Sequence, residues 1–236
     1  MENNSLLQDE MKSQGIELTN EQIDQFNLYY ELLVDKNKVM NLTAITVYDD
    51  VVRKHFIDSA MIARKLNMNQ IRTMCDIGSG AGFPGIPLKI IYPNLHVTLV
   101  DSVGKRVNFL ADVVDKLQLK DVETVHSRTE DLARNPKYRE KFDLVTARAV
   151  ASMNVLSEYC LPYVKINGKF AAYKSGNVQE ELESAKKAIS ILGGKIDSVD
   201  VFKMYDMGRS IVLINKVKKT PMTYPRKAGI PSKNPL

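Results

Sequence analysis

The chain has 236 residues, of which 44% are hydrophobic, enough to bury the core of one domain with an extension. Its two cysteines, Cys75 and Cys160, and its three scattered histidines exclude a disulfide scaffold and a Cys-rich zinc site. The sequence has no apolar run of the ~20 residues that a membrane helix needs. Its acidic, polar start is typical of neither a signal peptide nor a transit peptide. We therefore expect a soluble protein of a reducing compartment, without a metal.

The formal net charge of +5 is distributed unevenly along the chain. Residues 1–40 carry eight acidic and three basic side chains, whereas residues 216–236 carry six basic side chains and no acidic one. A basic body with a pI near 9.0 favours a polyanionic partner such as nucleic acid. Charge alone is a weak indication, because many soluble basic proteins bind no nucleic acid.

The first 70 residues are predicted to be helical. Leucines and a valine recur at near-helical spacing behind the Thr19-Asn20-Glu21 segment, where Thr19 or Asn20 can cap the helix. A second helix is predicted over about residues 49–66, because its apolar residues fall on one face. These helices precede the first predicted strand and form an N-terminal extension.

From residue 72 onward, short apolar runs alternate with helical segments. Strands that alternate with helices indicate a parallel, doubly wound α/β sheet, and the predicted strands lie near residues 72–77, 96–101, 122–127, 142–149 and 168–175. No helix separates the last two strands, residues 195–205 and 210–217, so we expect them to pair antiparallel through a turn at Asp206-Met207-Gly208. Residues 220–236, rich in Pro and Lys, are expected to be extended.

The segment CDIGSGAGFPGIP, residues 75–87, follows the first strand and precedes a helix. Gly78, Gly80 and Gly82 give the spacing G-x-G-x-G of a methyl-donor site, whereas reading from Gly80 gives the G-x-G-x-x-G of a dinucleotide site. A tight turn without a ligand is a third interpretation. Asp76 favours the first, because a carboxylate repels a pyrophosphate at a helix N-terminus but suits the cationic part of S-adenosylmethionine.

The next three strands also end in candidate site residues. Asp101 can accept hydrogen bonds from both ribose hydroxyls of a nucleoside, or cap the helix that follows. The third strand leads into Ser127-x-x-Glu130, a capping-box pattern, and an adenine ring is expected near the backbone of Thr129 and Glu130. Arg148 ends the fourth strand, where an arginine is costly unless it is paired or faces a cleft. We favour the cofactor cleft over an internal salt bridge.

Two cations stand where a helix dipole disfavours them. Lys105 and Arg106 lie in the first turn of the helix after the second strand, at a cost of a few tenths to about 1 kcal/mol. Phosphates at the mouth of the cleft would offset this cost. Ordinary surface charge explains the pair equally well.

Six motifs, taken together, resemble the bacterial RsmG (GidB) family of S-adenosylmethionine-dependent methyltransferases of small-subunit ribosomal RNA. They are DIGSGAGFPGIPLKI, VDSVGKRVNFL, VTARAVA, NLTAI, HFIDS and YPRKAGIPSKNPL, and the resemblance extends from Asn41 to Leu236. It implies a Rossmann-like class I methyltransferase fold: α/β, with a seven-stranded, mostly parallel sheet, an antiparallel last strand and an N-terminal helical extension. The expected division is residues 1–70 for the extension, 71–218 for the methyltransferase domain and 219–236 for a basic C-terminal tail.

The resemblance further implies methylation of N7 of one guanosine in 16S rRNA, near the decoding centre, in the bacterial cytoplasm. Carried over position by position, it places the cofactor contacts on Gly78, Phe83, Asp101, Thr129, Glu130 and Arg148. Thr129 departs from the family pattern, which often has alanine at this position. The expected partner is 16S rRNA or the small ribosomal subunit, and we expect a monomer without membrane attachment.

Guanine N7 has a lone pair and no proton, so its methylation needs no general base. We therefore assign no catalytic acid or base. Candidates for contacts with RNA are Arg53, Lys54, Lys105, Arg106, Arg226 and Lys227. His55 can stack on a base, although packing within the N-terminal helices is favoured. An NAD-dependent oxidoreductase and a non-catalytic RNA-binding module are the alternative classes, and cofactor titration distinguishes them.

Overall fold

In the computed structural model, residues 2–236 are described, with side chains from Ser5 onward. The centre of the fold is a seven-stranded sheet with the order β3-β2-β1-β4-β5-β7-β6. Its strands are β1 Thr73–Ile77, β2 His96–Asp101, β3 Val122–His126, β4 Phe142–Arg148, β5 Val164–Ser175, β6 Gly194–Met204 and β7 Met207–Lys216. Strand β7 pairs antiparallel with both β5 and β6, whereas β3, β2, β1, β4 and β5 pair in parallel. The predicted sheet is confirmed.

Helices cover both faces of this sheet. They are α1 Glu2–Ser13, α2 Asn20–Met40, α3 Tyr48–Val51, α4 Asp58–Ala60, α5 Gly85–Ile91, α6 Gly104–Lys116, α7 Thr129–Leu132, α8 Met153–Cys160, α9 Gln179–Ile191 and α10 Ile230–Lys233. Thr19, rather than Asn20, caps α2 through a capping box with Gln22. The helix predicted near residues 49–66 is composite, because a π-helical turn, Val52–Ile57, separates α3 from α4.

The N-terminal helices share one hydrophobic core with a face of the sheet. Leu7, Phe26 and Phe56 are fully buried in this core together with residues of β1, β2, α5 and α6. The buried hydroxyl of Tyr29 donates a hydrogen bond to the backbone oxygen of Ala81, at 2.6 Å. The N-terminal extension therefore packs directly beneath the glycine-rich segment that follows β1.

The hairpin between β6 and β7 turns one residue earlier than predicted. Met204 pairs with Met207, so the turn consists of Tyr205 and Asp206 rather than Asp206-Met207-Gly208. Tyr205 takes the left-handed conformation, at φ 56°, which the turn requires. Gly208 belongs to the strand, where a Cβ would lie 3.2 Å from the Cα of Gly176. Glycine is used there for a close approach of two backbones, not for the turn.

Residues 220–236 were predicted to be extended, but in the structure they are only partly so. The side chain of Arg139 donates hydrogen bonds to the backbone oxygens of Thr220 and Tyr224, at 2.8 and 2.9 Å. Gly229 then turns the chain with φ 83°, and the short helix α10 follows. This segment is therefore folded onto the body of the protein.

Within residues 2–236, no helix combines the length and apolar character that crossing a membrane requires. Among the same residues, no group of three or more His, Cys, Asp or Glu side chains is arranged to hold a metal ion.

Candidate functional site

The glycine-rich segment forms a loop at the carboxyl end of β1. Gly78, Gly80 and Gly82 all have positive φ, at 69°, 59° and 104°. A Cβ on Gly78 would lie 2.6 Å from Val150, and one on Gly82 would lie 2.5 Å from Ile86. At Gly80 the nearest atom to a Cβ would be a backbone oxygen 3.8 Å away. The loop is therefore packed at both ends and open at Gly80, which leaves room for a ligand against its backbone.

Asp76 lies beneath this loop and is completely buried. Its Oδ2 accepts a hydrogen bond from the Gly85 N–H at 3.2 Å, and its Oδ1 accepts one from the Thr146 hydroxyl at 2.8 Å. Burial raises the pKa of Asp76 to about 6, and these hydrogen bonds oppose the shift. The sequence predicted the Asp76 carboxylate beside a ligand. In the structure it lies under the loop and braces it against α5 and β4.

Asp101 holds the outer side of the loop. Its Oδ2 accepts a hydrogen bond from the Gly80 N–H at 2.9 Å, and its Oδ1 accepts one from the Val103 N–H at 2.9 Å. The second contact fixes the start of α6, although Val103 itself is the N-cap residue. A carboxylate oxygen has two lone pairs, so both oxygens keep an acceptor site for a further donor such as a ribose hydroxyl.

A cavity of about 150 Å³ adjoins Asp101 at the carboxyl ends of β2 and β3. Its walls include Gly78, Asp101, Thr129, Glu130, Val150 and Tyr159. The fold thus brings together residues predicted from three different strand ends. Tyr159, on α8, was not predicted, because no local pattern relates it to the glycine loop.

The start of α7 differs from the predicted capping box. The N-cap residue is Arg128, without a side-chain cap, and the Ser127 hydroxyl donates to the Arg128 backbone oxygen at 3.0 Å. Glu130 is buried, and its Oε1 accepts a hydrogen bond from the Gly229 N–H at 2.9 Å. The Thr129 hydroxyl donates to the backbone oxygen of Tyr159 at 3.2 Å. Tertiary contacts therefore take the place of the predicted cap.

Arg148 faces a second cavity, of about 320 Å³, and is also ion-paired. Its Nη1 lies 2.7 Å from Oδ2 of buried Asp58, whose Oδ1 is 3.0 Å from Nε of Arg209. The guanidinium carbon is 4.9 Å from the centre of the Phe83 ring. The cleft and the salt bridge, weighed as alternatives for Arg148, are both present. Asp58 and Arg209 had no predicted role, since they are far from Arg148 in sequence.

His55 also lines this second cavity and packs within the N-terminal helices. Its ring stacks on Phe83 with 4.5 Å between the centroids, and its Nε2 lies 2.9 Å from the Thr43 hydroxyl. Burial, with the positive charge of Arg148, lowers the pKa of His55 to about 3. The imidazole is therefore neutral at physiological pH, and with so low a pKa it is only a weak base.

The predicted RNA-binding cations differ in how far they are free to meet a phosphate. Three of them form ion pairs: Arg53 with Glu10, Lys54 with Asp50 and Arg226 with Glu158. Arg106 lies 3.8 Å from Asp101 and remains partly exposed. Lys105 and Lys227 are exposed and have no ion pair among the described residues. Lys105 and Arg106 border a cleft of about 520 Å³ between the end of α2 and the start of α6, which Lys36 also lines.

Comparison with known proteins adds a family to this geometry. A family model described as rRNA small subunit methyltransferase G (GidB) matches residues 22–212. The chain is 49% identical over 238 residues to the ribosomal RNA small subunit methyltransferase G of Lachnoclostridium phytofermentans, covering 100% of this chain and 98% of the relative. It is 47% identical over 228 residues to the protein of the same name from Bacillus subtilis, covering 96% and 95%.

Solved structures show the same architecture at low sequence identity. The [4+2]-cyclase SpnF matches with a TM-score of 0.59 and 12% identity, over 86% of this chain and 98% of that chain. An O-methyltransferase from Bacillus cereus in complex with SAH matches with a TM-score of 0.58 and 14% identity, over 80% and 90%. At such identities the likeness is one of fold, that of the class I methyltransferases.

The buried carboxylate of Asp76 predicts a pH-dependent stability difference. Because its pKa rises from 3.8 to about 6 on folding, the native state binds more protons than the unfolded state between these values. The wild type therefore loses stability, relative to the non-titrating Asp76→Asn variant, as the pH rises from 4 to 7. We expect the free-energy cost of Asp76→Asn, from urea unfolding, to be roughly 2–3 kcal/mol smaller at pH 7 than at pH 4.

Asp197→Asn is the matched control. A hydrogen bond from Lys169 lowers the pKa of Asp197, so stability gained from this carboxylate is lost as the pH falls. The cost of Asp197→Asn should therefore grow with pH, with the opposite sign. A cost of Asp76→Asn that is the same at both pH values would contradict the raised pKa.

Proposed function

The chain belongs to the rRNA small subunit methyltransferase G family, and on this premise we propose that it transfers a methyl group from S-adenosylmethionine to N7 of one guanosine of 16S rRNA, near the decoding centre. The structural observation that carries the proposal is the open backbone at Gly80, between the braced ends of the glycine loop. A ligand can approach this backbone closely, with Asp101 on one side. Such a site at the carboxyl end of a parallel sheet suits a nucleoside cofactor.

The residues present fit the nucleoside and amino-acid parts of S-adenosylmethionine. When bound, the cofactor supplies a methyl group on a sulfonium sulfur, and this sulfur leaves readily as a neutral thioether. We assign its contacts to the glycine loop, to Asp101 for the ribose, and to the backbone of Thr129 and Glu130 for the adenine. We assign further contacts to Phe83 and Arg148, whose side chains lie together beside the second cavity. Asp76 acts indirectly, since its carboxylate fixes the loop that these contacts require.

The chemistry asks for alignment rather than proton transfer. Guanine N7 carries a lone pair and no proton, so the protein has to place it in line with the methyl group and exclude water. Asp58 is ion-paired with both Arg148 and Arg209, and we assign this group to such positioning. His55 stays neutral beside them, with a pKa of about 3. A general base has no task in this reaction.

We further propose a division of labour along the chain. Residues 71–218 carry the methyl transfer, residues 1–70 support the glycine loop and the second cavity, and residues 219–236 form the basic C-terminal tail. In this proposal the protein works in the bacterial cytoplasm as a monomer. It acts on 16S rRNA or the small ribosomal subunit and needs no metal or membrane.

Mapping of ribosomal RNA from cells with and without this chain tests the proposed function directly. N7-methylguanosine bears a positive charge on its ring, so borohydride reduction followed by aniline cleaves the RNA at that nucleotide. We expect one guanosine of 16S rRNA to lose this cleavage when the chain is absent, and to regain it when the wild-type chain is restored. Cleavage that persists at every site without the chain would contradict the proposal.

Gly80→Val tests the cofactor site. The branched side chain would fill the open space above the loop, and we expect the dissociation constant for S-adenosylmethionine, from calorimetry, to rise about a hundredfold or more. Gly15→Val is the matched control, because Gly15 also has a positive φ, 76°, with open space around it. Both variants carry similar backbone strain, but only Gly80→Val should lose the cofactor. Wild-type affinity in a folded Gly80→Val protein would refute the assignment.

The exposed cations of α6 predict a change in salt dependence. If Lys105 and Arg106 contact phosphates, replacing both with Ala should make the negative slope of log affinity against log salt shallower by about 1–2. RNA binding should weaken roughly tenfold. Cofactor affinity should change little. The control is Lys186→Ala with Lys187→Ala, which removes the same charge from α9 on the opposite face of the sheet. If the slope became shallower by the same amount in both double variants, Lys105 and Arg106 would have no specific role in RNA binding.

A further inference from the structure

The last twelve residues of the chain, 225–236, are folded against the wall of the cavity that adjoins Asp101. We infer that this segment is a working part of the cofactor site: it holds Glu130 and Tyr159 in place and so completes the nucleoside end of the cavity. The inference rests on the proposed function for the identity of the ligand, S-adenosylmethionine. It adds a positioning role for residues that neither touch the glycine loop nor belong to the sheet.

The segment is anchored by an ion pair to a buried carboxylate. Glu158, on α8, is completely buried, and its Oε2 lies 2.6 Å from Nη2 of Arg226. Its Oε1 accepts hydrogen bonds from the backbone N–H of Arg226 at 2.7 Å and from its Nε at 3.0 Å. A buried carboxylate is costly unless it is paired and hydrogen-bonded in this way. Arg226 is therefore tied to the body of the fold, although 22% of its side chain remains exposed.

Two further contacts reach the cavity wall itself. The N–H of Gly229 donates to Oε1 of Glu130 at 2.9 Å, and Ser232 lies close enough to the Tyr159 hydroxyl to oppose the rise in its pKa that burial causes. Both Glu130 and Tyr159 line the cavity. Glu158 and Tyr159 are consecutive residues of α8, so the ion pair and the cavity wall are joined through adjacent backbone positions of one helix.

The consequence for binding follows from preorganisation. Glu130 is a buried carboxylate whose orientation is set by a donor from the segment, ninety-nine residues further along the chain. Without that donor, the carboxylate and the Tyr159 ring gain conformational freedom, which cofactor binding would then have to remove. Loss of the segment should therefore weaken cofactor binding while leaving the transfer step itself almost unchanged.

A chain that ends at Tyr224 tests this inference. It keeps the contacts between Arg139 and the backbone of Thr220 and Tyr224, and lacks only residues 225–236. We expect the dissociation constant and the KM for S-adenosylmethionine to rise about tenfold, with kcat at saturating cofactor within about twofold. A synthetic peptide of residues 225–236, added to the shortened protein, should restore the affinity in part. A wild-type dissociation constant in the folded, shortened protein would overturn the inference.

Two point variants keep the test decisive if the shortened chain does not fold. Glu158→Gln combined with Arg226→Gln replaces the ion pair by two amides without leaving a buried charge, and should weaken cofactor binding about threefold or more. Lys233→Ala changes an exposed residue of the same segment and should leave cofactor affinity unchanged. A lower melting temperature with wild-type cofactor affinity in the double variant would show a purely structural role and contradict the inference.

The same measurements separate this inference from the proposed function. If the full-length protein does not bind S-adenosylmethionine, the proposed function itself fails. If the full-length and the shortened protein bind it equally, only the role of residues 225–236 is refuted.

Discussion

The architecture of the site depends on one buried carboxylate. Asp76 joins three elements, since it belongs to β1 and accepts hydrogen bonds from Thr146 of β4 and Gly85 of α5. A Cβ on Gly85 would lie 2.9 Å from this carboxylate and 2.4 Å from Leu99, so only glycine fits there. The desolvation that raises the pKa of Asp76 to about 6 is the cost of this arrangement. What it stabilises is a loop that is tight at both ends and open at Gly80.

A second buried carboxylate ties the N-terminal helices to the far end of the cleft. Asp58 bridges Arg148 of β4 and Arg209 of β7, two strands that are not neighbours in the sheet. Breaking a buried ion pair from one side leaves an uncompensated charge, which typically costs about 3–5 kcal/mol. The N-terminal extension is therefore fixed electrostatically as well as by the core it shares with the sheet. All three of these side chains line the second cavity, which lies between elements distant in sequence.

The sequence predicted what depends on local pattern and missed what depends on distant partners. The alternation of apolar runs and helices located all seven strands, because most are short runs buried on both faces or paired in a hairpin, and the half-buried edge strand β3 still lies between two helical segments. Ser127-x-x-Glu130 has the local form of a capping box, yet Glu130 instead accepts from Gly229, far along the chain. Asp58 and Arg209, 151 residues apart, have no local signature at all. Candidate residues at strand ends were predictable because parallel strands end at one edge; their partners were not.

The two cavities, one beside Asp101 and one beside Arg148, are thus supported by side chains that lie outside the parallel strands. Asp58 in the N-terminal extension fixes Arg148, and Glu158 on α8 fixes the C-terminal segment that contacts Glu130. A reaction that needs a general base can be tuned by one titrating group, but the proposed methyl transfer to guanine N7 has no such group to tune. Its rate then depends on how accurately the acceptor and donor are aligned.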